Sequence, residues 1–349
     1  VLAHRDDPMS LRIALLETRD ASHAGGDERD ALAVRAADGA TTAIERSCRA
    51  NGWHTTRVEA RPDAPDATVA ELAREEVDVV FQLVESLRGE ARFEAAAAWI
   101  LEWARIPYTG SGPVAITLAL EKPIVHAVLA ARGVPVPDGF VLEQADARIT
   151  IETTGRRFLV KPSREDASHG IDAASVVDDE AALRARAAHV IRSFRQPAWI
   201  EEYVDGREFN VSILGTGRDA RVLPLGEIDY SKLDPAHPRI LTYAAKWDET
   251  SVEYHATPSI GARPMARELE ASIRDTALAA YAAVGLAGYG RVDLRVDARG
   301  VPRVIDVNPN PDLSPDAGFA KAAARANIGH AQLVQQIVDH GLRRSGSIA

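Results

Sequence analysis

The chain has 349 residues, with 41 Lys and Arg against 51 Asp and Glu, a formal net charge of -10. That length suggests two or three domains at roughly 150 residues each, and an acidic chain without a basic run is a poor partner for nucleic acid or an anionic membrane. The lone Cys48 excludes an intramolecular disulfide framework and a CxxC zinc site.

No apolar stretch approaches the roughly 18 residues of a membrane span, and the opening VLAHRDDPMSLRIALL lacks the apolar core of a signal peptide. A cytoplasmic protein is expected. Residues before Met9 are set aside. LRIALL (Leu11 to Leu16) reads as a buried strand, followed by a polar stretch and a helix-like run from about Asp30 to Asn51. TTRVEA and DVVFQLV are strands, and RFEAAAAWILEWARI is a helix. This alternation points to an α/β domain with a parallel sheet, ending near residue 120. A central α+β unit over 121–205 follows. It holds a helix closed by Gly133, the strand RFLVKPS, a polar loop, the helix DDEAALRARAAHVIRSF and the strand AWIEEYV. The last region, 206–349, holds REFNVSILG and RVLPLGEIDY as strands. From Ser231 to Pro258 no period is evident, which suggests a lid. A helix from Pro264 to about Val284, a hairpin and two closing helices complete the chain.

The hairpin, GYGRVDLRV and VPRVIDVN around the turn DARG, carries charge on a strand pattern. If Val296 pairs with Val301, Arg291 faces Asp306 and Asp293 lies diagonally beside it. One face then holds Val292, Leu294, Val296, Val301, Ile305 and Val307, with Arg303 the exception. The other holds Arg291, Asp293, Asp306 and Asn308. Such a face is either solvated or a set of oxygen ligands of the kind Mg²⁺ takes. The hairpin alone leaves both open.

Other motifs are individually weak. YTGSGPVA has GxGxxA spacing, but it follows a helix rather than a first strand, so a turn between domains is expected instead of a nicotinamide site. Lys161 ends an apolar strand, where it is either at an edge or facing an anion. The loop with Ser163, Ser168 and Gly170 could cover phosphates with backbone N–H groups, and His169 within it is expected to be a surface histidine. Glu201, Glu202 and Glu208 flank a turn. They are either solvated or acceptors for an adenine amino group and ribose hydroxyls. Neither HExxH nor GxSxG occurs.

PYTGSG, LEK, FLVKPSRE, WIEEYVDGREFNV, YAAKW, GRVDLRVD and VIDVNPNPDLS, in this order, resemble the ATP-grasp superfamily and, within it, the D-alanine–D-alanine ligase family. The resemblance runs from about Asp78 onward. It implies a three-domain ATP-grasp fold: an N-terminal parallel α/β domain, a small central α+β domain and a C-terminal antiparallel-sheet domain. It implies a carboxylate–amine ligase that uses ATP and two Mg²⁺ ions, forms an acyl phosphate and releases ADP and phosphate. Lys122 and Lys161 would hold the α- and β-phosphates beneath the loop Ser163 to Gly170. Glu201 and the Val204 backbone would meet adenine, and Glu208 the ribose. Asp293, Asp306 and Asn308 would hold the metals. Lys246 would reach the γ-phosphate, and Arg291 would stabilise the acyl phosphate. Small-molecule carboxylate and amine substrates and a homodimer are expected, with no nucleic acid or membrane partner.

The chain departs from the family where substrate amino acids bind. The Gly-rich loop after the first strand is absent, although Glu17 lies near its place. Ala167 stands where the family has a lid-locking Ser, Trp247 where it usually has Tyr, and Asp312 where it has an oxyanion-site Gly. Asp306 replaces the usual Glu. The expectation is a ligase for amino-acid-like substrates other than D-alanine, one of them bulkier and one basic. The alternatives are a true D-alanine–D-alanine ligase and a catalytically idle nucleotide-binding protein.

Overall fold

The computed structural model describes residues 10–18, 32–149 and 152–345. The first three strands, β1 (Arg12–Glu17), β2 (His54–Glu59) and β3 (Val79–Gln82), form a parallel sheet of order β2-β1-β3. Parallel sheets are covered on both faces, which is why β1 is apolar without alternation. Ile13 and Leu15 face one core and Ala14 and Leu16 another. The covering helices are α1 (Leu32–Ala50), α2 (Pro65–Arg74) and α3 (Glu94–Ala104). The expected start of α1 near Asp30 lies outside the described residues, as do residues 1–9 and the polar stretch 19–31.

The segment read as an inter-domain turn is a turn followed at once by a helix. Gly112 precedes α4 (Pro113–Leu120), which has Pro at its first position, and α5 (Lys122–Ala131) follows at once. Proline there costs nothing, because the first N–H groups of a helix have no intrahelical partner.

A four-stranded antiparallel sheet, order β4-β7-β5-β6, comprises β4 (Gly139–Leu142), β5 (Phe158–Pro162), β6 (Val176–Val177) and β7 (Ala198–Glu202). The helix α6 (Glu180–Phe194) packs on it through Leu183, Ala187 and Val190, and Asp179 caps its N-terminus. The third sheet, of order β11-β10-β8-β12-β13 with β9 beside β8, is antiparallel throughout. Its strands are β8 (Glu208–Leu214), β9 (Arg221–Val222), β10 (Gly226–Ile228), β11 (Ser259–Gly261), β12 (Tyr289–Val296) and β13 (Pro302–Asn308). RVLPLGEIDY, expected as one strand, is therefore two. Pro224, which has no N–H for a ladder, lies between them. The stretch 231–258 is also more regular than its sequence suggested. It contains α7 (Tyr243–Trp247) and α8 (Val252–Ala256), capped by the Thr242 and Ser251 side chains. The apolar face of the third sheet packs on α9 (Arg267–Val284) through Ile273, Ala277 and Tyr281. Two closing helices, α10 (Gly318–Arg325) and α11 (His330–Ser345), complete the chain. No single helix among the described residues is long and apolar enough to cross a membrane.

The β12–β13 register differs from the expected one. Val296 pairs with Pro302, not Val301, and a bulge leaves Ile305 without an opposite residue, so Asp293 faces Asp306 and Arg291 faces Asn308. A bulge adds one residue to one strand and switches the face of those beyond it. This removes the misfit at Arg303. Val304, not Ile305, joins the core with Val307. Arg303 turns to the opposite face and pairs with Asp297 at 2.9 Å.

Gly206 closes the β7–β8 turn against β12. A Cβ there would lie 1.8 Å from the Val296 carbonyl oxygen. Gly206→Ala must therefore push backbone apart and is expected to cost about 3 kcal/mol, in the range of overpacked sites. Urea denaturation reads this, and an unchanged midpoint would show that the turn yields freely.

Candidate functional site

Two cavities adjoin across the polar face of the third sheet. The first is floored by Arg291, Asp293, Asp306 and Asn308, walled by Lys122 and Lys161, and roofed by Glu165 to His169 and Lys246. Strand alternation puts Arg291, Asp293 and Arg295 on one face of β12, and the bulge brings both Ile305 and Asp306 to the same cavity.

Its charges are closely paired. Arg291 donates to both Asp293 oxygens at 2.8 Å, and Asn210 donates to Oδ1 of the same carboxylate at 2.8 Å. Lys122 lies 3.2 Å from Asp306. Burial alone would raise the Asp306 carboxyl, but Lys122 and Lys161 hold it below its ordinary value. Burial opposes charge on Lys122 too, and Asp306 and Asp166 reverse this and raise it. Lys246 is lowered, by burial first and then by Arg291.

At the far end, Lys161 meets Glu201 at 2.8 Å and donates to the Ile305 carbonyl at 3.3 Å. The second Glu201 oxygen accepts from the Trp199 indole. Glu202 pairs with Arg156 at 2.9 Å. Glu208 accepts from Arg295 and from the Tyr230 hydroxyl, and Arg295 also donates to the Val204 carbonyl at 2.9 Å.

The second cavity, of about 760 Å³, shares Lys246 and Arg291 with the first. It is lined by Trp247, Tyr254 and His255 on one side and by Asp312, Asp316 and Lys321 on the other. Asp312 accepts from the Ser314 N–H at 2.8 Å. Trp247 is a wall of this cavity, and its indole also donates to the Ala167 carbonyl at 2.8 Å.

Most of the residues singled out in the sequence therefore converge. Glu17, Ser163 and Gly170 do not line these cavities. Glu17 ends β1, 3.8 Å from Arg57. Ser163 is buried beneath the loop, where its carbonyl accepts from the Lys122 N–H. Gly170, at φ +71°, packs under the same loop, where a Cβ would lie 2.7 Å from Phe194 and Pro162.

Among the charged residues, the sequence reading did not single out Arg295 and Asp166, which line the first cavity, or Glu85, which lies within their electrostatic reach. Arg295 was detectable, being two positions from Asp293 on the same face. Asp166 sits in the quoted loop without a pattern to mark it. Glu85 follows β3 and carried no local signal. Glu85 keeps exposed surface, yet desolvation of its carboxyl, reinforced by Asp166 and Asp312, raises it to about 7. A carboxyl raised from about 4.3 in the unfolded chain disfavours folding progressively as pH climbs between those values. Glu85→Gln should thus be the more stable protein at pH 8, by about 1 kcal/mol after allowance for its accessibility. Thermal melts should show the gain fading below about pH 4. A pH-independent difference would contradict this.

A family model described as D-ala D-ala ligase C-terminus matches residues 128–339. The uncharacterized protein y4sG of Sinorhizobium fredii is 32% identical over 268 residues, covering 76% of this chain and 75% of that protein. A D-alanine–D-alanine ligase of Synechococcus sp. (strain JA-3-3Ab) is 32% identical over 263 residues, covering 74% of this chain and 76% of the ligase. The crystal structure of D-alanine–D-alanine ligase from Bacillus anthracis complexed with ATP superposes with a TM-score of 0.74 at 20% identity, covering 97% of this chain and 100% of that one. The mixed parallel and antiparallel architecture is that of the ATP-grasp ligases.

Proposed function

This chain belongs to the D-alanine–D-alanine ligase family of ATP-grasp enzymes, ATP-dependent ligases that form C–N bonds, and on that premise we propose that it joins a carboxylate to an amine other than a pair of D-alanines. The observation that carries the reading is the convergence of Lys122, Lys161, Lys246 and Arg291 with Asp293, Asp306 and Asn308 on one cavity.

In the proposed reaction, a substrate carboxylate oxygen attacks the γ-phosphorus of ATP. The bond from that phosphorus to the β,γ-bridging oxygen breaks and ADP leaves. The amine attacks the resulting acyl carbon, phosphate departs with the C–O electron pair, and the new ammonium loses a proton. Phosphoryl transfer of this kind needs positioning and charge neutralisation. Lys122 and Lys161 hold the α- and β-phosphates, and the Glu165 to His169 loop excludes water above them. Lys246 meets the γ-phosphate from the lid. Arg291, at the junction of the two cavities, meets the transferred phosphoryl group and the oxyanion. Glu201 and the Val204 backbone face the adenine, and Glu208, fixed by Arg295 and Tyr230, faces the ribose.

Two carboxylates and an amide are hard oxygen donors that suit Mg²⁺. Among the described residues no group of three or more His, Cys, Asp or Glu side chains is placed to hold a metal ion by itself, and Mg²⁺ characteristically takes one or two carboxylates and completes its shell with substrate phosphates and water. Asp293, Asp306 and Asn308 would hold the ions, which when bound neutralise charge on the triphosphate.

The substrate side rests on the second cavity. Its volume is in the range of drug-sized sites and far exceeds an alanine. Trp247 and Tyr254 offer flat apolar walls, and Asp312 offers a carboxylate to a basic group. The similarity to named D-alanine–D-alanine ligases favours the second reading, that D-alanine is the substrate after all. Hydroxylamine can stand in for the amine and convert an acyl phosphate to a hydroxamate. A panel of carboxylates with Mg-ATP and hydroxylamine should yield hydroxamate and ADP with a carboxylate larger than D-alanine. Hydroxamate from D-alanine alone would favour the second reading, and AMP as product would contradict the mechanism. We expect a homodimer, which light scattering would read as twice the mass of the chain.

A further inference from the structure

Arg186 lies on α6, outside both cavities, yet its side chain is only 8% exposed. Nη2 donates to the Gly170 carbonyl at 2.7 Å and to the Ser175 hydroxyl at 2.8 Å. Nη1 donates to Asp172 at 3.1 Å. These acceptors immediately follow the loop that roofs the nucleotide cavity. Between them, the Ile171 carbonyl accepts from the Tyr243 N–H at 2.9 Å, at the start of the helix that carries Lys246. The His169 ring lies 5.2 Å from the Tyr243 ring, and the Trp247 indole closes the far end of the same seam on Ala167. Ala167 and Ser168 are both left-handed, at φ +50° and +63°. Neither is glycine, so the surrounding contacts must hold this turn in place.

We propose that Arg186 is a positioning residue that clamps the phosphate-covering loop and the lid helix into one unit, so that Lys246 reaches the γ-phosphate only while the clamp is made. The inference rests on the reading of the first cavity as the site of Mg-ATP. The case is one of geometry. Residues 170–175 contact α6 on one side and α7 on the other, and one side chain fixes them with three bonds. A planar fork of donors can meet two carbonyl- or hydroxyl-type acceptors and a carboxylate together, whereas a lysine ammonium is a single point. Arg186 is not in the nucleotide cavity, so its loss should spare binding and impair closure. The Trp247 indole supplies a second tie from the lid side, with a backbone acceptor that the side chain of Ala167 does not affect.

The test uses Arg186→Lys and Arg186→Gln in the full chain, with β,γ-imido-ATP and Mg²⁺ as the probe. Calorimetric affinity for the probe should change by less than about threefold, while protection of residues 231–258 from protease by the probe should be lost. Substrate-dependent turnover should fall at least about 30-fold, and ATP hydrolysis without amide formation should rise, because an imperfectly closed site admits water. Asp172→Asn, which weakens one of the three bonds, gives the same pattern in reduced form if the arginine variants fail to fold. Retained protection with turnover within about threefold of the parent would overturn the clamp. Failure of the parent itself to bind the probe would overturn the nucleotide reading instead, and the clamp with it.

Discussion

Asp306→Asn should lower turnover at least about 10³-fold while leaving the fold in place. The substitution keeps the shape and one oxygen of the side chain and removes its charge. Asp306 is held ionised by Lys122 and Lys161, and it faces Asp293 directly across the hairpin. Neutralising it weakens the proposed metal site and leaves Lys122 without its anion. Removing one partner of a buried pair generally costs several kcal/mol, but Asp306 is 30% exposed on the cavity side, so solvent reduces the loss. The discriminating measurement is the rise in melting temperature produced by Mg-ATP, which stabilises the folded state by mass action. The parent should show it and the variant should not. A normal shift and near-normal turnover at saturating Mg²⁺ would make Asp306 a mere surface acid.

Lys246→Met should lower turnover about 10² to 10³-fold with little effect on ATP affinity. Lys246 is, with Arg291, a cation shared by both cavities. It is carried by α7 rather than by the sheet, so in the proposed closure of residues 231–258 its contribution comes mainly after closing. Methionine keeps the length and the apolar stem and removes the charge. The Lys246 ammonium also lies 5.0 Å from the Trp247 ring centroid, so a polar replacement would disturb the lid more than methionine does. Steady-state kinetics in ATP should show the fall in kcat and a KM within a fewfold. A large rise in KM with unchanged kcat would place Lys246 in ground-state binding instead.

The sequence showed the polar face of the hairpin because alternation is a local property of a strand. It did not show the bulge at Ile305, which depends on how β13 pairs with β12, so the register was one residue off at Val296 and two off at Arg291, and Ile305 was assigned to the core. The misplaced Arg303 on the apolar face was the one sign of the error. The helices α7 and α8 were invisible because five residues are too few for a helical period to emerge. The segment YTGSGPVA, read as a turn, also holds the first residue of α4, Pro113. Glu85 and Arg186 look like ordinary surface charges in their own segments. Only the docking of β3 and α6 against other elements brings them to the cleft and the seam. Lys161, Glu201, Glu208 and Asn308, which stand at strand ends the pattern had marked, line one cavity, whereas Lys122 and Lys246 reach it from the helices α5 and α7.

The account is tested most directly by phosphate release from Mg-ATP with D-alanine as the only amino acid, measured beside a panel of larger and basic amines and carboxylates, with products identified by mass spectrometry. The prediction is near-background release with D-alanine, and amide formation matched by ADP and phosphate with at least one pair containing a substrate bulkier than alanine. Fastest turnover with D-alanine alone, giving D-alanyl–D-alanine, would contradict it.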